Sequence, residues 1–349
     1  MTNLLLYFLF ALIGGIILQK LKVPGGMMVG GALACSIANL SLNLGEIPSY
    51  IKISAQILTG VYIGINVESE ELRNLKSILK PFFIVLVGLF ITNIISGLLI
   101  YLIAPFSLIT ALLAVTPGGI TNIPLIAADM GGDPAIVAIF QSARLIIGVG
   151  VFPIFIDFLA KKRSKTDENI ENSSRAPEAK KLVMNMTRYL ELVIIILIAA
   201  LAGWFANTLG IPSAYLVLPV LLCIGAKLIR TKAGAPDLLR RIAQLLSGIY
   251  IGTCFTSKDI AQLPYLLLPL IIMIVLFIIN FLICGWLINK KRYFGYTEAL
   301  LASSPAGASD MALLTADLGI QNTNLNLLHV VRLLVVVIIF PYLWFLFIN

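Results

Sequence analysis

Apolar runs separated by short polar joints fill almost the whole chain. They cover 3–19, 24–41, 53–67, 78–103 and 134–160, then 190–207, 212–229, 241–255, 264–288 and 325–348. Most approach the roughly 20 residues that a helix needs to cross a bilayer. Stretches 83–103 and 264–288 hold no charged residue at all. Backbone polar groups in lipid must bond within their own segment, so helices are expected; barrel strands would alternate, and these runs do not. Runs 53–67 and 241–255 are short for a span. Two more apolar stretches, 107–131 and 297–319, are interrupted by Pro and Gly. The expected class is an all-α membrane protein. The first run lacks a basic leader and a small-residue cleavage site, so it is expected to be a transmembrane helix rather than a removable signal.

A shift of 188 residues superposes the sequence on itself. Gly15, Pro24, Cys35 and Pro48 fall on Gly203, Pro212, Cys223 and Pro236. Gln56, Gly60, Tyr62 and Gly64 fall on Gln244, Gly248, Tyr250 and Gly252. Pro117, Asp129, Arg144 and Pro153 fall on Pro305, Asp317, Arg332 and Pro341. One offset held this long marks a duplication. The expected units are a first membrane repeat, 1–160, a polar linker, 161–188, and a second membrane repeat, 189–349.

The interrupted stretches carry the candidate chemistry. Pro117 removes a backbone donor and obstructs the preceding turn, while Gly118 and Gly119 permit angles that other residues avoid. The second copy places Pro305, Ala306 and Gly307 there. Flanking pieces of about ten residues are roughly 15 Å long, half the apolar thickness. Unwound backbone at that depth must be buried in protein or line a wet cavity. Half-helix N-termini then offer partial positive charge, and free carbonyls can hold a cation. Thr121, Asn122, Ser309 and Asp310 follow the breaks and suit N-cap or ligand roles. A Pro-Gly kink that only lets helices pack closely is the plainer alternative.

The broken segment either crosses the membrane, giving six spans per half and parallel halves, or dips in and returns, giving five spans and inverted halves. Charge discriminates. With the linker in the cytoplasm, the inverted arrangement puts 21 basic loop residues inside and 2 outside, whereas the parallel one gives 17 and 6. Basic loops favour the cytoplasm, so two inverted repeats of five transmembrane helices, each with a re-entrant or broken helix, are the preferred expectation. The same bookkeeping explains the net charge of +8 as loop orientation, not a nucleic-acid surface.

Arg144 and Arg332 interrupt the last apolar run of each half, with Gln141 and His329 three residues earlier on the same helix face. Intramembrane charge is expensive and is usually functional or paired. Each Arg could pair with the Asp of its own half, Asp129 or Asp317; both could face a shared cavity and attract an anion; or they could snorkel to an interface. Cys35, Cys223, Cys254 and Cys284 all lie in apolar runs and suit small core positions, not a disulfide framework.

The segments VTPGGITNIPLIAADMGGDPAIVAIFQSARLIIGVGVFP and ASSPAGASDMALLTADLGI, the latter followed by HVVRLLVVVIIFP, resemble the AbrB duplication family of bacterial membrane proteins. The layout is also similar to the citrate and glutamate sodium symporter families, which implies inverted halves with Gly-rich re-entrant hairpins, a bacterial plasma-membrane location and a homodimer. Members of the AbrB family are labelled ammonia monooxygenase or regulator of gene expression. A copper or iron oxygenase wants several imidazole or carboxylate ligands, and the chain has one histidine. No enzyme, cofactor or metal is therefore expected. No P-loop is present, and no domain is available to bind DNA. The leading expectation is a secondary transporter of a small organic anion, coupled to H+ or Na+. A membrane sensor that alters expression through a partner is the alternative.

Overall fold

The computed structural model describes residues 2–21, 23, 25–45, 47–65, 75–118, 120–148, 186–209, 211, 213–228, 236–255, 257–305 and 323–348. Every regular element among them is helical. In the first half these are α1 (Thr2–Lys20), α2 (Gly26–Leu42), α3 (Tyr50–Ile65), α4 (Leu75–Ile103), α5 (Leu108–Val115), α6 (Asn122–Asp129) and α7 (Pro134–Gly148). The second half has α8 (Met186–Thr208), α9 (Ala214–Leu228), α10 (Asp237–Cys254), α11 (Ser257–Lys290), α12 (Tyr296–Ser303) and α13 (Thr323–Ile348). The linker 161–188 lies outside the described residues except for its last three, which open α8.

Five of these helices are long and apolar enough to cross a membrane: α1, α4, α8, α11 and α13. Their outward faces are greasy, as on α1, where Leu5, Leu9, Leu12 and Ile17 are exposed. Such faces suit lipid. Helices α4 and α11 run three and seven residues further toward their N-termini than the apolar pattern predicts. Pro81, Pro264 and Pro269 are absorbed within them.

The helices sort into two bundles, and each bundle draws on both halves. Helices α1, α2 and α3 pack with α8, α9 and α10; α4 to α7 pack with α11, α12 and α13. Contacts in the first bundle repeat at the 188-residue offset. A Cβ on Gly60 would lie 2.4 Å from the Leu216 carbonyl oxygen, and one on Gly248 would lie 2.7 Å from that of Met28. Gly64 meets the Val220 carbonyl at 2.6 Å and Gly252 that of Ala32 at 2.5 Å in the same sense. So α3 lies backbone-close on α9, and α10 on α2, by one contact used twice. Small residues that let backbones approach are the usual means of helix association in lipid. These four glycines lie among the residues matched by the offset.

The interrupted segment of the first half folds back on itself. Ser107 caps α5, its Oγ accepting from the Thr110 N–H at 3.2 Å. Thr116 precedes Pro117, and a residue before proline is driven out of the helical region. It is extended, with φ −65° and ψ 122°, and α5 stops there. Helix α6 then ends on Gly131, at φ 73°, with the Gly132 N–H returning to the Ala127 carbonyl. That left-handed position is where glycine is favoured. The chain arrives beside its starting point: the Asp133 N–H donates to Thr110 Oγ1 at 2.9 Å. Asp133 Oδ1 in turn caps α7, accepting from Ala135 and Ile136 ahead of which Pro134 takes the first helical position. The hairpin is deeply buried, with Ala111, Leu113, Val115, Ile123 and Ile126 all below 2% exposure.

Candidate functional site

A half-helix that ends inside the protein leaves carbonyls that lipid cannot satisfy. At the tip of the first hairpin, two side chains from α7 meet them. Gln141 Nε2 donates to the carbonyls of Leu113, Ala114 and Thr116 at 3.2, 3.1 and 2.8 Å. Arg144 donates from Nη1 to the Thr116 carbonyl at 3.1 Å and from Nη2 to that of Gly118 at 2.6 Å. Gln141 is fully buried and Arg144 is 5% exposed. The guanidinium sits at the C-terminal end of α5, where the helix dipole favours a cation. The two carbonyls fix the orientation of the group.

Thr116 is the hub of this tip. Its Oγ1 donates to the Leu112 carbonyl at 2.8 Å and accepts from Asn93 Nδ2 at 2.9 Å and Trp344 Nε1 at 3.2 Å. Those bonds join α4, α5 and α13, so both halves of the sequence hold one tip. Trp344 also stacks on Phe90 at 5.4 Å. Sequence reasoning singled out Pro117 and passed over Thr116, Asn93 and Trp344. The signal available for Thr116 was its place before proline at the end of a half-helix.

Pro117 and Gly118 occupy the break, buried. Thr121 is the N-cap of α6 but makes no side-chain cap bond, and Asn122 opens that helix at 3% exposure. The N-terminus of α6 thus returns toward the tip with its first-turn N–H groups uncapped by a side chain. Gly119 lies outside the described residues.

Asp129 is elsewhere. It stands at the far end of α6, roughly 12 Å of helix from the break. The expected alternative of an Asp129–Arg144 pair does not hold: Asp129 Oδ1 is 2.7 Å from Lys52 Nζ, and Oδ2 accepts from Gln56 Nε2 at 2.6 Å. Arg144 is drawn instead to the orphan carbonyls of the break, which lie on its side of the hairpin. Lys52 was expected in a loop. It lies in α3, which starts three residues before the apolar run does because Tyr50, Ile51 and Lys52 already turn as helix. The ion pair therefore spans the two bundles, from α3 to α6.

The second half repeats part of the arrangement. Ser304, extended before Pro305 at φ −62° and ψ 137°, ends α12, and Arg332 Nη1 donates to its carbonyl. Both residues are the 188-offset equivalents of Thr116 and Arg144. Glu298 Oε2 accepts from the Gly295 N–H at 3.1 Å, a helix-start bond. Ser303 Oγ donates to the Phe281 carbonyl at 2.9 Å, a tie with no counterpart in the first half, where Asn93 stands opposite. His329 replaces Gln141 and is 1% exposed. Ala306, Gly307, Ser309, Asp310 and Asp317 lie outside the described residues.

The comparisons agree with the duplication. A family model described as transition state regulatory protein AbrB matches residues 1–160 and again 149–347. A relative from Bacillus subtilis (strain 168), "Uncharacterized protein YhjN", is 20% identical over 94% of this chain and 88% of its own length. Another, from Escherichia coli (strain K12), is "Putative regulator AbrB", 24% identical over 84% of this chain and 82% of its own.

Proposed function

The chain belongs to the AbrB family, and on that premise we propose that it is a secondary transporter of a small organic anion, coupled to H+ or Na+. The solute is held at the two broken-helix tips. The observation that carries the reading is the buried break at 116–118, whose carbonyls are gripped by Gln141 and Arg144 from α7. A neutral amide such as Gln141 is enough to satisfy carbonyls, so a guanidinium beside it supports an anion-attracting role. The uncapped N-terminus of α6 adds partial positive charge on the same side, the usual setting for an anion.

In this reading the hairpin enters the bilayer and returns, as the bond from Asp133 to Thr110 favours. Each half then has five spans, the halves are inverted, and the linker faces the cytoplasm of a bacterial plasma membrane. The solute-binding set is Pro117 to Asn122 with Gln141 and Arg144, and Pro305 to Asp310 with His329 and Arg332. Asp129 supports the first hairpin at its far end, and Asp317 is its equivalent by the offset. The two mixed bundles are the parts that move against each other, with the Lys52–Asp129 pair between them. A carrier, not an enzyme, is proposed, acting as a homodimer without nucleic acid. A second reading, a membrane sensor acting through a protein partner, is favoured by the regulator name of the E. coli relative.

The test is uptake of a panel of radiolabelled carboxylates, from acetate to citrate, into proteoliposomes with imposed H+ or Na+ gradients. Uptake by the parent, lost in Arg144→Ala and Arg332→Ala while both still elute as folded protein, is the expected result. Full uptake in both variants refutes the anion role. No flux of any panel member, together with a stable complex with a cytoplasmic protein, favours the sensor.

A further inference from the structure

The two tips differ at one position in a way that the fold does not require. We propose that His329 binds a proton in the transport cycle, so that the coupling ion is H+ and one proton accompanies each anion. The inference rests on the transport reading above.

His329 stands on α13, one turn before Arg332, and its side chain is almost completely buried. Among the described residues, neither ring nitrogen has a hydrogen-bond partner. A neutral imidazole carries one donor and one acceptor, and buried groups of that kind are nearly always satisfied. Two unmet nitrogens on one buried ring mark a place kept for something that comes and goes. The equivalent Gln141 shows what a structural residue does there: its amide ties three carbonyls of the half-helix end. At the second tip that tether is absent, and the residue in its place is the one side chain whose ordinary titration falls near physiological pH. It is also the chain's single histidine, so the duplication supplies one such site and not two.

The charged surroundings suit an anion-dependent proton site. Helix α13 packs against α4, α5, α6 and α12, and its Val330, Leu334 and Ile338 meet Ile63 of α3 and Val220 and Ile224 of α9. Helix α3 carries Tyr50, Lys52 and Tyr62, and α9 carries Tyr215, Cys223 and Lys227. On α13 itself the titratable groups are Arg332 and Tyr342. Helix α12 brings Tyr296 and Glu298 in its first turn, the latter bonded to Gly295. Helix α6 brings Asp129, held at its far end by Lys52. Helix α4 brings Lys76 and Lys80 near its start and Tyr101 near its end, and α5 has no titratable group. Arg144, on α7, is turned to the first tip. Asp310 and Asp317 lie outside the described residues. The charged side chain nearest His329 along the helix is therefore a cation. An anion seated by Arg332 favours a protonated ring, and a protonated ring favours the anion. That reciprocity is the coupling a symporter needs. With one linked proton, apparent anion affinity falls about tenfold per pH unit above the ring's titration.

The experiment uses the full chain in lipid nanodiscs with 15N-histidine. A single histidine gives one pair of ring-nitrogen signals, so NMR reads its protonation directly with the proton as probe. The expected result is a ring that stays neutral without carboxylate and becomes doubly protonated, as the pH is lowered, when a panel carboxylate that the parent moves is present at saturation. A ring that stays neutral with such a carboxylate bound overturns the proposal. His329→Gln installs the residue that stands at 141 and removes the signals. For any panel carboxylate that the parent moves, the variant is expected to bind with less than about twofold dependence on pH, since the linked proton is gone. A retained tenfold slope overturns the proposal. Flux with a ring that never titrates sinks the proton role alone. A titrating ring in a protein that moves no panel carboxylate sinks the carrier reading, and the coupling role with it.

Discussion

Thr116→Val isolates the tip network, because valine keeps the shape and removes only the hydroxyl. Thr116 and Asn93 are both fully buried, and Trp344 is 2% exposed. Removing Oγ1 strands the Asn93 amide N–H, now bonded at 2.9 Å, and the Trp344 indole N–H, bonded at 3.2 Å. A stranded buried donor costs about 1–3 kcal/mol. The longer indole bond belongs at the low end, so the pair together should cost about 2–4 kcal/mol, or roughly 30- to 700-fold in the folded-to-unfolded ratio. Unfolding in mixed micelles, followed by far-UV circular dichroism, measures this. Asn93→Leu with Thr116→Val removes donor and acceptor together, so the double variant should lose less than the sum of the singles by at least about 1 kcal/mol. A Thr116→Val protein within about 0.5 kcal/mol of the parent, or strict additivity, would show that the hydroxyl does not hold the tip.

Two further outcomes follow from the packing. Gly60→Ala drives a Cβ to 2.4 Å from the Leu216 carbonyl oxygen, and Gly248→Ala repeats the clash at 2.7 Å on Met28; each should cost about 1–3 kcal/mol as overpacking, read as lower melting temperature, with the first larger. Asp129→Ala leaves Lys52 and Gln56 without their acceptor at side-chain exposures of 21% for Lys52 and 17% for Asp129; partial solvation limits the loss to about 1–2 kcal/mol, and Lys52→Met in the same chain should recover part of it.

Much of the architecture was legible because membrane helices announce themselves and a duplication repeats its constraints. The offset that paired Gly60 with Gly248 also pairs their contacts, since Leu216 is the equivalent of Met28. The break at Pro117 and Pro305 was legible for the same reason that it exists: proline expels its predecessor from the helix. What the hydrophobic pattern could not carry was direction. A chain that turns back and a chain that continues have the same composition, and the choice is made by Thr110 and Asp133, two polar residues at the segment's ends. The Asp129–Arg144 alternative fails for a related reason. It matches intramembrane charges to each other, whereas Arg144 donates to carbonyls, which every sequence contains and none displays. Lys52 then had to be drawn from a stretch that apolar counting left as loop.

The same duplication that builds a symmetric frame leaves the two tips unequal, and the inequality has a physical basis. In the frame, the four matched glycine approaches run between one half and the other, so a change on α3 acts on α9 and its equivalent on α10 acts on α2. At the tips the partners are not repeated by the offset, and drift at one is not tied to the other. The first tip has Asn93, Gln141 and Trp344 to spend on Thr116 and its neighbours. In the second, Phe281 stands at the Asn93 position, and Ser303 turns to its carbonyl. Among the described residues, the Arg–carbonyl bond is common to both. It is the element that both copies keep, and the residues one turn before it are where the two were free to take different work.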